Sequence, residues 1–135
     1  MVNFVIVSHS AKIAEGVVEL VSQMKVDTCK VIAAGGLDDP HNPIGTDAVK
    51  IMQAVEEAFS PDGVVILVDL GSAILSAETA LDLLESEIAE KVKICYAPLV
   101  EGALSAVVAA SAGDNIENVI AEANASSELK LSFSA

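Results

Sequence analysis

The sequence predicts an α/β domain with a doubly wound, mainly parallel sheet, in which four parallel strands alternate with helices. Four short β-rich apolar runs, separated by segments with helical periodicity, predict the alternation. The third run, residues 64–70, is apolar at every position except Asp69, which is typical of a strand covered by helices on both faces, so we expect it in the middle of the sheet. A chain of 135 residues with 53% apolar content suits one domain with one core.

Strands are predicted at residues 2–7, 29–34, 64–70 and 92–97. Two helices between them place apolar side chains on one face at a period of about 3.6 residues: Ile13, Val17, Leu20, Val21 and Met24 in the first, and Ile51, Met52, Val55, Ala58 and Phe59 in the second. Thr46 is the predicted N-cap of the second helix. Further helices are predicted at residues 73–84 and 102–112, and Asp114 with Glu117 predicts a capping box that opens a last helix towards Ala125.

The tail, residues 126–135, has a different pattern. Leu129, Leu131 and Phe133 alternate with Lys130, Ser132 and Ser134. This period of two predicts an edge strand with one buried face, either in its own sheet or exchanged with a second subunit. The domain itself is predicted to span residues 1–125.

Composition and charge argue against several classes of protein. A net charge of −13 repels nucleic acid and anionic lipid. The apolar runs are far shorter than the roughly 20 residues of a membrane span, and residues 1–7 lack the features of a signal peptide, so we expect a cytoplasmic protein. Cys29 and Cys95 lie in apolar runs without the spacing of a metal or redox site; we expect buried, reduced thiols and no metal.

The residues that could carry chemistry follow the predicted strands. Since the carboxyl ends of parallel strands share one edge of a sheet, we expect the segments at residues 8–10, 35–36, 69–72 and 97–99 to converge there. His9, at the mouth of the first helix, could carry a phosphoryl group as a nucleophile. Asp69 could hold the imidazole in one tautomer. Hydroxyls and flexible backbone that could hold phosphoryl oxygens are supplied by Ser8, Ser10, Gly71 and Ser72.

The residues also allow a plainer interpretation, in which His9 is a turn residue and the stretch from Asp69 to Ser72 only caps a helix. The second histidine, His41, lies in a loop rich in Asp, Asn, Pro and Gly, so we expect it to be solvated. This loop has neither of the usual glycine-rich nucleotide-binding patterns.

Four segments carry a family resemblance: Val-Ser-His-Ser at 7–10, Ala-Gly-Gly-Leu-Asp-Asp-Pro-His-Asn-Pro-Ile-Gly-Thr at 34–46, Val-Asp-Leu-Gly-Ser-Ala at 68–73, and Ala-Pro-Leu-Val-Glu-Gly-Ala at 97–103. Together they resemble the DhaM family, the phosphotransferase subunits of dihydroxyacetone kinases that use phosphoenolpyruvate. The first domain of that family resembles the mannose-type enzyme IIA of the sugar phosphotransferase system. The resemblance runs from Met1 to about Ala125.

The resemblance implies that His9 accepts a phosphoryl group from the carrier protein HPr and passes it to ADP held by the kinase subunit DhaL. The ATP so formed then phosphorylates dihydroxyacetone, with DhaK as the remaining subunit of the kinase. It further implies a homodimer that binds no cofactor itself, with ADP or ATP and Mg²⁺ on the partner subunit. Because the chain stops at Ala135, without the carrier domains fused to some members, we expect the donor to be a separate HPr.

Three alternatives remain at this point. A mannose-type sugar transporter IIA would share His9 but pass the phosphoryl group to a IIB protein. A receiver-like signalling module would use Asp69 as acceptor, yet the acidic Mg²⁺-binding pair expected after its first strand is absent here. A flavin-binding module is disfavoured because no Trp and one Tyr leave little to stack on the flavin ring.

Overall fold

The computed structural model describes residues 1–133 and contains a parallel four-stranded sheet. The strands are β1 (Asn3–Ser8), β2 (Val31–Gly35), β3 (Val64–Val68) and β4 (Val92–Cys95), and their order across the sheet is β2-β1-β3-β4. The predicted fold class is therefore confirmed, and β3 lies inside the sheet as predicted. The strand order reverses direction between β1 and β3, and the crevice at such a reversal is where parallel α/β sheets bind ligands.

The helices are α1 (Ala11–Val21), α2 (Ala48–Ala58), α3 (Gly71–Leu83), α4 (Ser86–Ala89), α5 (Leu99–Ser111), α6 (Ile116–Ala125) and α7 (Leu129–Ser132), with a 3₁₀ turn at Ser126–Glu128. No helix among residues 1–133 is long and apolar enough to span a membrane. The short helix α4 was not predicted.

Two of the predicted helix starts are wrong by one residue. The N-cap of α2 is Asp47, whose carboxylate accepts from the N–H of Val49 at 2.9 Å, and not Thr46. The N-cap of α6 is Asn115 in place of Asp114, and its side chain accepts from the N–H of Asn118. In both pairs, either residue is chemically able to cap a helix, so the type of residue could not decide between them.

Side chains from the two faces of the sheet form two apolar cores. Phe4 and Ile6 of β1 point into the core formed with α1, α5 and α6, whereas Val5 and Val7 point into the core formed with α2 and α3. All four are fully buried. The central strands are therefore apolar at successive positions because both of their faces are covered.

The predicted edge strand in the tail is wrong for the described residues. The chain continues from α6 through the 3₁₀ turn into α7, and Ser134 of the predicted strand lies outside the described part of the chain. The Ser126 hydroxyl donates to the carbonyl of Ala123, and Lys130 pairs with Glu101 at the start of α5. Local helical bonds thus satisfy this backbone, while Phe133 is 87% exposed.

The two cysteines match their prediction. Cys29 and Cys95 are buried and form no disulfide. Burial raises the pKa of each thiol, because the charged thiolate is disfavoured away from water. The raised pKa disfavours the reactive thiolate form of both cysteines.

Candidate phosphoryl-transfer site

His9 and Asp69 meet at the crevice between β1 and β3. His9 follows the last residue of β1, and Asp69 follows the last residue of β3, so the parallel pairing of the two strands brings them to the same edge. His9 Nδ1 lies 3.0 Å from Asp69 Oδ1, and the exposed fractions of the two side chains are 21% and 14%. The predicted convergence of these two residues is what the structure shows.

The Asp69 carboxylate accepts from four donors. Its Oδ2 accepts from the Ser8 hydroxyl and from the backbone N–H of His9, both at 2.9 Å. Its Oδ1 accepts from the backbone N–H of Leu70 at 2.7 Å and contacts the His9 ring. Partial burial acts to raise the pKa of Asp69, but these hydrogen bonds outweigh burial and hold the pKa below its ordinary value. Asp69 is therefore an ionised acceptor at neutral pH.

An ionised acceptor at Nδ1 fixes the tautomer of His9. Nδ1 carries the hydrogen and donates it to Asp69, which leaves the lone pair of the neutral ring on Nε2. Nε2 lies 2.7 Å from the Ser72 hydroxyl at the start of α3. Nε2 is thus the ring atom that can act as a nucleophile, and Ser72 is the hydroxyl placed to donate to it.

Two helices begin beside the imidazole and supply backbone donors. α1 starts directly after Ser10, and α3 starts at Gly71. Within residues 1–133, the N–H groups of Gly71 and Ser72 form no hydrogen bond, and no side chain caps α3. Free N–H groups and the positive end of a helix dipole favour a bound phosphoryl group. A β-carbon at Gly71 would meet open space, so crowding there does not require glycine.

The two predicted serines beside His9 have different surroundings. Ser8 is fully buried; its hydroxyl donates to Asp69 and accepts from the N–H of Ser10. The only hydroxyl hydrogen of Ser8 is therefore occupied, and its geometry favours orienting Asp69 over binding phosphate. Ser10 caps α1 by accepting from the N–H of Ile13, so its own hydroxyl hydrogen can still be donated to a ligand.

The loop between β2 and α2 is fixed to the backbone of the site. The N–H of Gly36 donates to the carbonyl of Ser8 at 3.2 Å, and the N–H of Gly45 donates to the carbonyl of His9 at 2.8 Å. The sequence interpretation missed Gly45, because a contact from a loop to the backbone of another loop leaves no signature in residue type. His41 is exposed in this loop, as predicted, and its N–H donates to the side chain of Asp39.

Two clefts are lined by neighbours of His9 and Asp69, although His9 itself lines neither. One, of about 260 Å³, is lined by Ser10, Lys12 and the loop residues Leu37, Pro43 and Ile44, among others. The other, of about 390 Å³, is lined by Asp69, Leu70, Gly71, Tyr96 and Leu99, among others. The predicted segment at residues 97–99 therefore lies on the Asp69 side of the site. Neither cleft is lined by a glycine-rich phosphate-binding loop of the kind that nucleotide sites use.

Comparisons with known proteins identify the family of this chain. The family model of the fructose IIA component of the phosphotransferase system matches residues 3–120. The phosphoryl donor subunit DhaM of the PEP-dependent dihydroxyacetone kinase of Escherichia coli K12 is 56% identical over 131 residues. That match covers 96% of this chain and 28% of the relative, so the chain spans under a third of the length of this relative. A DhaM subunit of Listeria innocua is 43% identical over 122 residues, which cover 90% of this chain and 96% of the relative.

Solved structures share the architecture. A crystal structure of a protein of unknown function superposes with a TM-score of 0.81 at 34% identity and covers 92% of this chain and 93% of its own. The phosphotransferase component EIIA of Streptococcus agalactiae superposes with a TM-score of 0.65 at 15% identity, covering 96% of this chain and 95% of its own, which shows the fold alone. By the extent of the family match and the identity to its relatives, the chain belongs to the family of the fructose IIA component of the phosphotransferase system.

Proposed function

We propose that this chain is a phosphoryl relay of a phosphoenolpyruvate-dependent dihydroxyacetone kinase, which accepts a phosphoryl group on His9 and passes it to ADP. The single observation that carries the proposal is the imidazole of His9, with Nδ1 bound to an ionised Asp69 and Nε2 facing Ser72. The names of the relatives, which are phosphoryl donor subunits of such kinases, support the choice of pathway.

In the first half-reaction, the lone pair of His9 Nε2 attacks the phosphorus of a phosphohistidine on HPr. A new P–N bond forms as the P–N bond of the donor breaks, and the donor imidazole leaves with the bonding electrons. The His9 ring gains positive charge, which Asp69 stabilises through Nδ1–H. The N–H groups of Gly71 and Ser72, with the hydroxyls of Ser10 and Ser72, would hold the phosphoryl oxygens.

In the second half-reaction, a terminal oxygen of ADP attacks the phosphorus, and His9 leaves as the neutral ring that Asp69 already orients. ADP and Mg²⁺ would be bound by DhaL, with DhaK completing the kinase, in the cytoplasm. Because both half-reactions use Nε2, HPr and DhaL must approach the same face of His9 in turn. A homodimer of this chain, which the family resemblance implies, is also part of the proposal.

Phosphoryl transfer from labelled phospho-HPr tests the assignment of His9. We expect His9→Ala to fold but to accept no label, while the matched control His41→Ala accepts it at the rate of the unaltered protein. The adduct should be labile in acid and survive mild alkali, as a P–N bond does. Label retained by the His9 variant, or an alkali-labile adduct on Asp69, would refute the assignment and favour a receiver-like module.

The acceptor is tested separately. The labelled protein is offered ADP-loaded DhaL in one reaction and a mannose-type IIB protein in another. We expect transfer to ADP with DhaL and little transfer to IIB. Preferential transfer to IIB would instead identify a sugar transporter IIA with the same His9 chemistry.

A further inference from the structure

We propose that the hydroxyls of Thr46 and Ser76 form a positioning pair that sets α3 against His9 for phosphoryl transfer. Thr46 Oγ1 and Ser76 Oγ lie 2.6 Å apart although 30 positions separate them in the sequence. Thr46 ends the loop between β2 and α2, and Ser76 lies in the second turn of α3. This inference rests on the function proposed above, since it assigns two further residues to that site.

Each member of the pair is one short step from His9. Gly45, the residue before Thr46, donates its N–H to the carbonyl of His9 at 2.8 Å. Ser76 lies four residues after Ser72 on α3, so the two share a face of the helix, and the Ser72 hydroxyl lies 2.7 Å from His9 Nε2. A continuous path of contacts therefore runs from the backbone of His9 through Gly45, the hydroxyl pair and α3 to Nε2 of the same histidine.

The Thr46 hydroxyl has no role in capping the helix that follows it. Asp47 caps α2, so Thr46 is not needed for that purpose. The packing of α2 against α3 rests on buried apolar side chains, among them Ala54 and Ala77, and apolar contacts of this kind are non-directional. A hydrogen bond adds a direction that apolar packing lacks, and the hydroxyl pair fixes the position of α3 along this contact.

The start of the same loop, after β2, is held separately by Lys50 of α2. Lys50 Nζ contacts the carbonyl of Gly35 at 3.4 Å and the carboxylate of Asp38 at 2.9 Å. Loss of the hydroxyl pair should therefore leave the loop in place and release mainly α3 with Ser72. Misplacement of a reacting group by about 1 Å is enough to slow a reaction that depends on orientation.

The test removes each hydroxyl with as small a change in side-chain volume as possible. Thr46→Val and Ser76→Ala remove the pair, and Thr46→Ser retains a hydroxyl at position 46. Thr79→Val is the matched control, because its hydroxyl is on α3 but donates to Leu75 of the same helix. Phosphoramidate serves as a donor that needs no partner protein: its P–N bond breaks, ammonia leaves and the P–N bond to His9 Nε2 forms.

We expect Thr46→Val and Ser76→Ala each to lower the rate of His9 phosphorylation by about five- to tenfold, the effect of about one hydrogen bond. The double variant should lose no more than either single one, because both remove the same contact. Thr46→Ser and Thr79→Val should stay within about twofold of the unaltered protein. With phospho-HPr, kcat should fall while KM is unchanged, since Thr46 and Ser76 are half-buried and the pair acts on the position of Ser72.

A second measurement follows the His9 ring itself. In ¹⁵N NMR spectra of Thr46→Val and Ser76→Ala, the chemical shift of Nε2 should move towards the value of an imidazole whose Nε2 accepts no hydrogen bond. In Thr79→Val the shift should not change. Unchanged rates and an unchanged Nε2 shift, or fully additive losses in the double variant, would overturn the proposal. If HPr proved not to be a donor, the relay would fail, whereas the phosphoramidate rates and the NMR shifts would still decide the role of the pair.

Discussion

Replacing Asp69 by Asn tests whether the charge of this carboxylate or only its shape serves His9. Each carboxylate oxygen accepts from two donors, so the amide group of Asn must face two of them in either orientation. If the amide nitrogen takes the place of Oδ2, beside Ser8, it faces the backbone N–H of His9, and two donors meet. If it takes the place of Oδ1, beside the ring, it faces the backbone N–H of Leu70 in the same way. An unsatisfied donor of this kind costs about 1–3 kcal/mol, and we expect the free energy of unfolding to fall by that amount.

The same substitution should slow phosphoryl transfer by about 10- to 150-fold. The hydrogen bond to Nδ1 loses its charge assistance, which is worth about 1.5–3 kcal/mol when the donor ring becomes positive. At about 1.4 kcal/mol per factor of ten, this loss is equivalent to roughly 10–150-fold in rate. Rapid-mixing measurements with phospho-HPr check the value, with Asp82→Asn on the exposed face of α3 as the control for charge. A rate within threefold of the unaltered protein would show that Asp69 acts only as a structural cap.

The effect on stability should also depend on pH. Asp69 has its pKa held below the ordinary value of 3.8, so the folded chain binds fewer protons there than the unfolded chain. Its contribution is therefore present above pH 3.8 and is lost as the pH falls through the lower pKa of the folded state. Urea unfolding at neutral pH and at about pH 3 should show the difference between Asp69→Asn and the unaltered protein shrinking in acid. A constant difference would contradict an ionised Asp69.

Three further predictions concern single residues. Ser8→Ala should slow phosphoryl transfer from phospho-HPr less than Asp69→Asn does, because it removes one of four donors to Asp69 and leaves the charge in place; an equal loss would assign Ser8 a direct role. Asp47→Ala should lower the free energy of unfolding by about 1 kcal/mol through loss of the α2 N-cap, measured by urea unfolding; no change would mean that another group caps the helix. Gly102→Ala should lower the melting temperature, since its β-carbon would lie 2.8 Å from a neighbouring side chain, whereas the control Gly16→Ala meets open space; equal melting temperatures would contradict that close approach.

The amino-acid sequence by itself determined the fold class and the edge of the sheet at which His9 and Asp69 meet. Continuous apolar runs can be buried only where both faces of a strand are covered, and this predicted β3 in the middle of a parallel sheet. Residues that end parallel strands must share an edge, and this predicted that His9 and Asp69 would converge. Both conclusions follow from local pattern and from rules of topology, so no distant contact had to be known.

The tertiary structure decided what depends on distant neighbours. Thr46 and Asp47 are both able to cap a helix, and only the presence of Ser76 across the fold gives the Thr46 hydroxyl another partner. The alternating tail fits a strand in sequence, yet a strand needs a free edge in the right register, whereas helical turns satisfy its backbone locally. Ser8 is similar in type to Ser10, but burial beside Asp69 occupies its only hydroxyl hydrogen. For Thr46 and Ser8, the competing partner lies far away in sequence, where a local pattern carries no information about it.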